Sequence, residues 1–155
     1  VSDILVVGYG NPGRRDDGVG HYVAERIEQL TGDVETLHCN VSTLMLHQLG
    51  PELAETIKDY DLVIFVDAHS GECAEGMRMV SVESAYCPSA FTHFMNPGSL
   101  LALVMSLYHR KPQAFIVSIR GYDFDFGTEL STETQKWADM AVEQILDMIV
   151  FQRGS

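Results

Sequence analysis

The stretch Ile4-Leu5-Val6-Val7-Gly8-Tyr9-Gly10-Asn11-Pro12-Gly13-Arg14-Arg15-Asp16-Asp17-Gly18-Val19-Gly20 decides how this chain is read. Residues 4–8 form a continuous apolar run, which reads as a first buried strand. A polar, glycine-rich turn follows. Val19, Val23, Ile27 and Leu30 then recur at helical spacing, with Glu25, Glu28 and Gln29 on the other face. Strand, turn and helix in this order open an α/β fold.

The same alternation continues outward. Residues 62–66 are apolar without alternation, as expected of a central parallel strand covered on both faces, and they end in Asp67-Ala68-His69. Further strands are expected over 34–39, 77–82 (nearer an edge) and 114–119. A helix is expected over 44–58, interrupted near Gly50-Pro51. Asn96 can cap another, with Pro97 at its first position and Leu100, Val104 and Leu107 as its inner stripe. Thr132 and Gln135 fit a capping box, followed by a buried stripe of Trp137, Ala141, Ile145 and Met148. The expected fold is a three-layer α/β sandwich, a mostly parallel twisted sheet with helices on both faces. The length, 155 residues, suits one domain over 1–155.

Composition narrows the function. The net charge is −12, a field that repels phosphate backbones, so a nucleic-acid partner is disfavoured. No apolar run is long enough to cross a bilayer, and the short run at 4–7 lacks the basic flank of a signal peptide. The expected location is the cytoplasm, with no membrane partner. Cys39, Cys73 and Cys87 are odd in number and widely spaced, against a zinc ribbon or a disulfide framework.

Open parallel sheets bind ligands beyond the carboxyl ends of their strands, near a topological switch point. Two strands end in polar residues there. If they are neighbours, Asp67 and the loop of Asn11 to Asp17 share one crevice. A carboxylate after five apolar residues needs a cation or several donors, or else it caps the following loop. Asp16 and Asp17 precede a helix, where acidic side chains are favoured; one is expected to cap it while the other faces the crevice. Asp16→Asn is then expected to be mild. Gly18 and Gly20 permit close approach of a ligand or tight helix packing. Of the six histidines, His21 and His109 fall in or at the end of helices, His69 lies near Asp67, and His93 sits on a loop that can fold over the strand ends; His38 and His47 carry no signal of their own. Two carboxylates and an imidazole suit a divalent cation, which leads to a metal-assisted hydrolase and no further.

The opening block, Gly8-Tyr9-Gly10-Asn11 through Asp16-Asp17-Gly18-Val19-Gly20 after an apolar strand, resembles that of the nickel–iron hydrogenase maturation proteases. Val66-Asp67-Ala68 and Phe91-Thr92-His93 resemble their second and third blocks. Gly121-Tyr122 and the long terminal helix also fit. The resemblance spans nearly the whole chain and places the family's catalytic and metal-contacting positions on Asp17, Asp67 and His93. Many relatives have Glu in place of Asp17, one methylene longer. It implies an endopeptidase that removes the C-terminal extension of a nickel-loaded hydrogenase large-subunit precursor. The nickel arrives with the substrate, and other divalent metals can occupy the isolated site. Asn11 is then a loop former or a polar contact near the site, and Arg14 and Arg15 stand where they could meet the carboxylate of a tail.

Two other readings exist. The Gly8 to Gly13 segment also resembles the start of bacterial peptidyl-tRNA hydrolases, where Asn11 would be catalytic, but Arg15-Asp16-Asp17-Gly18 departs from that family at once. A nucleotide-binding loop is the other, disfavoured because Asp16 and Asp17 would repel a pyrophosphate.

Overall fold

The computed structural model describes residues 3–32, 40–71, 75–82 and 95–153. The elements run β1 (Asp3–Tyr9), a 3₁₀ turn (Arg15–Gly18), α1 (Val19–Thr31), β2 (Asn40–Leu46), α2 (Leu53–Ile57) and β3 (Leu62–His69). They continue with β4 (Met77–Ser81), α3 (Pro97–Tyr108), β5 (Gln113–Arg120) and α4 (Thr132–Arg153). The sheet order is β2-β1-β3-β5-β4, parallel except for β4, which pairs antiparallel with β5 at the edge.

The unalternating runs in β1 and β3 follow from helices on both faces. Ile4, Val6, Leu62, Ile64 and Val66 pack under α1 and α4, with Val23, Ile27, Ala141 and Ile145. Leu5, Val7, Val63 and Phe65 pack under α2 and α3, with Leu53, Ile57, Leu100 and Val104. Every strand position is therefore apolar, whichever way it points. Among the described residues, no helix is long and apolar enough to cross a membrane.

Several expectations are corrected in detail. Residues 44–46 end strand β2 and do not begin a helix; only 53–57 are helical in that region. Val41 and Thr43 are β-branched, β2 pairs with β1 along its whole length, and Gly50-Pro51 stops a helix from extending backward. The expected strand at 34–39 lies outside the described residues. Asn96 caps α3 through Ser99 N–H at 2.8 Å, but Leu107 is exposed, and Tyr108, four residues beyond Val104, packs inward instead. The cap of α4 is Ser131, one residue earlier than expected: its hydroxyl accepts Thr134 N–H at 3.3 Å and its carbonyl accepts Gln135 N–H at 2.9 Å.

Glycine sets the closeness of α1 to the sheet. A Cβ on Gly20 would sit 2.5 Å from the Val66 carbonyl oxygen, and one on Gly8 would overlap the Gly20 carbonyl. Of the two roles open to Gly20, tight helix packing is the one observed. Neither obstacle is a flexible side chain, so the helix itself would have to move. Gly20→Ala is expected to cost about 2 kcal/mol, a fall in Tm of roughly 4–8 °C. An unchanged thermal melt would show that the helix yields freely.

Candidate functional site

β1 and β3 are adjacent and parallel, in register from Ile4 opposite Leu62 to Gly8 opposite Val66. The chain leaves β1 toward β2 on one side and later returns to β3 on the other. The carboxyl ends of β1 and β3 thus flank the switch point of the sheet. A cleft of about 340 Å³ opens there, lined by Tyr9, Gly10, Asp17, His47, Asp67 and Met95 among others. Asp17 and Asp67 share the crevice, as the strand order requires.

The loop after β1 is shaped by its own hydrogen bonds. Gly10 has φ 140°, a region only glycine enters freely, and its N–H donates to the Leu46 carbonyl at 3.0 Å. Asn11 closes the turn: its side-chain oxygen accepts Gly13 N–H and its own N–H donates to Asp17 Oδ2, both at 2.9 Å. That makes Asn11 a loop former that also fixes Asp17. Arg15 pairs with Asp123 at 3.1 Å, and Arg14 Nε donates to the Phe124 carbonyl at 3.0 Å. Both guanidinium groups thereby tie this loop to the segment between β5 and α4.

Asp16 does not cap α1. It is 0 % exposed, and its two oxygens accept the N–H groups of Tyr122, Asp123 and Ser131 and the Ser131 hydroxyl, at 2.7–2.9 Å. Burial alone would raise its pKa, but the bonds from Ser131, Tyr122 and Asp123 prevail and hold it below the usual carboxylate range. Asp16 anchors the segment 121–131; Asp17, half-buried, faces the cleft.

Asp67 ends the buried part of β3. Its Oδ2 accepts the Tyr9 hydroxyl at 2.8 Å, while Oδ1 is buried with no hydrogen-bond partner among the described residues. Burial pushes its pKa up; the hydroxyls of Tyr9 and Ser118 oppose this, and Asp17 adds to it. The Tyr9 hydroxyl is driven far above its ordinary range by burial and by the Asp67 charge. His69 Nδ1 accepts Gly71 N–H at 3.1 Å.

A buried carboxylate oxygen lacking a donor among the described residues, beside a second carboxylate, fits a cation. His93 lies outside the described residues, as do Cys39, Cys73 and Cys87. Among the described residues, no three His, Cys, Asp or Glu side chains gather as a metal set.

Sequence reading missed Tyr9 and His47. Tyr9 had a signal: on adjacent parallel strands in register, residues of the same parity share a face. Leu5, Val7 and Tyr9 therefore stand with Val63, Phe65 and Asp67. His47 had none, because its place depends on where β2 ends.

No family model matches the chain. A protein of Methanocaldococcus jannaschii bearing the name of a hydrogenase maturation protease is 27 % identical over 153 residues, covering 95 % of this chain and 96 % of that protein. The nickel–iron hydrogenase maturation protease HybD of Thermococcus kodakarensis is 26 % identical with a TM-score of 0.66, over 95 % of this chain and 99 % of that one. The hydrogenase maturating endopeptidase HybD of E. coli shares the fold, with a TM-score of 0.75 at 23 % identity over 97 % of this chain and 93 % of that one. The similarity to these hydrogenase maturation proteases thus runs end to end, and two carboxylates meet at the switch point of the shared fold.

Proposed function

We propose that this chain is the endopeptidase that removes the C-terminal extension of a nickel-loaded hydrogenase large-subunit precursor, in the cytoplasm. It recognises the nickel that the precursor carries. Asp17, Asp67 and His93 are the residues assigned to meet that ion. The observation carrying this reading is Asp67 Oδ1, a buried oxygen with no hydrogen-bond partner among the described residues, in a cleft shared with Asp17.

The donor set explains why the metal travels with the substrate. Two hard carboxylates and one imidazole hold nickel weakly, whereas thiolates of a large subunit are softer and stronger donors. The enzyme can share the ion with a docked precursor without removing it. A bound cation polarises the scissile carbonyl or an attacking water. The chain's part is to keep Asp67 oriented through Tyr9 and Asp17 oriented through Asn11 N–H.

The test mixes purified enzyme with nickel-loaded and nickel-free precursor and follows loss of the tail by mass spectrometry. The loaded precursor is expected to be cut and the free one to remain intact. Equal cutting of nickel-free precursor by metal-free enzyme would sink the substrate-borne metal.

A further inference from the structure

The cleft holds an imidazole that lies within the described residues and is independent of His93. We propose that His47 is a catalytic residue of the hydrolysis put forward above, and the proposal rests on that reading. His47 takes a proton from the attacking water and delivers it to the leaving amide nitrogen.

Its placement is the first reason. His47 follows the last residue of β2 and lines the same cleft as Asp17 and Asp67. The backbone on either side is pinned. The Leu46 carbonyl accepts Gly10 N–H at 3.0 Å and lies 2.8 Å from His21 Nε2, while Leu49 is buried in the core. The His47 ring meets the His21 ring edge-on, with centroids 6.3 Å apart, yet it stays exposed at the cleft. The flanking backbone is thus fixed while the side chain stays exposed, so core packing does not account for an imidazole there.

The second reason is what the described residues of the cleft otherwise offer. Hydrolysis of an amide must move one proton from water to the leaving nitrogen. Tyr9 is spent donating its hydroxyl proton to Asp67 at 2.8 Å. Asp17 and Asp67 face the cation in the proposed reading. Gln48 and Met95, which also line the cleft, have no exchangeable acid or base. An imidazole both accepts and donates a proton near neutral pH.

The step balances without another reactant. Water oxygen bonds to the carbonyl carbon as its proton passes to the imidazole. The C–N bond then breaks, its electron pair stays on nitrogen, and the imidazolium returns the proton there. The second water proton stays on the new carboxyl group, and the products, a carboxylic acid and an amine, ionise to carboxylate and ammonium.

The experiment uses the full chain and nickel-loaded precursor, comparing the parent, His47→Gln and His47→Ala. His47→Gln is expected to lower kcat by about 10²-fold or more with KM within about twofold and an unchanged melt. Added imidazole is expected to restore at least about a tenth of the parent rate in His47→Ala. Parent-like kcat in His47→Gln, a loss confined to KM, or a kcat loss that imidazole leaves untouched would each overturn the proposal. Parent enzyme that cuts no precursor would overturn the endopeptidase reading and this step with it, so the two failures are distinguishable.

Discussion

Asp67→Asn is expected to abolish tail removal while leaving the protein at least as stable as the parent. The substitution nearly preserves shape, and Asn still offers an oxygen to the Tyr9 hydroxyl. What disappears is the negative charge. Burial holds the Asp67 pKa above its ordinary value, so the folded protein disfavours the ionised form. At neutral pH, above the unfolded pKa, such a group costs stability, and the neutral amide removes that cost. The parent and Asp67→Asn should therefore melt alike, or the variant slightly higher, at pH 7. Processing of nickel-loaded precursor should fall roughly 10³-fold, equivalent to about 4 kcal/mol of lost stabilisation. Normal cleavage by a well-folded Asp67→Asn would remove the carboxylate from the mechanism. Asp17→Asn should behave alike in the cleavage assay. Its melt should shift little, because among the described residues Asp17 accepts a single backbone N–H, and it is only half-buried.

Asp16→Asn is the opposite case, with the largest expected loss of stability. Read as a helix cap, Asp16 would tolerate Asn. In the fold it instead gathers three backbone N–H groups and one hydroxyl from the segment before α4. An amide nitrogen in place of one oxygen would face those donors with a donor of its own. The expected cost is about 3 kcal/mol, or a fall in Tm of roughly 6–12 °C, seen in a thermal melt at pH 7. The sign with pH follows from the lowered pKa. The Asp16 contribution is complete above the ordinary carboxylate range and is lost as pH falls through its depressed folded value. The gap between parent and Asp16→Asn should accordingly narrow on acidification. A gap that stays constant, or no gap at pH 7, would mean that the 121–131 segment is not held by this charge.

The sequence by itself determined the class of the fold and the meeting of Asp17 and Asp67 in one cleft. Apolar runs at 4–8 and 62–66, each ending in polar residues, imply parallel strands with polar side chains gathered at their carboxyl ends. The same local pattern places Asp17 and Asp67 there. Asn96-Pro97 was legible because a helix cap is written in consecutive residues. Tertiary structure decided the rest. The apolar spacing at Leu44, Leu46, Leu49 and Leu53 does not separate helix from strand, and pairing with β1 settles residues 40–46 as a strand. That choice carries His47 into the cleft. Nothing local separates Asp16 from Asp17 either. Their difference is made by Tyr122, Asp123 and Ser131, more than a hundred residues away, which turn one carboxylate into an anchor and leave its neighbour facing the cleft. A hydrogen bond depends on separation in space, and adjacency along the chain reveals that separation only within a turn or a helix.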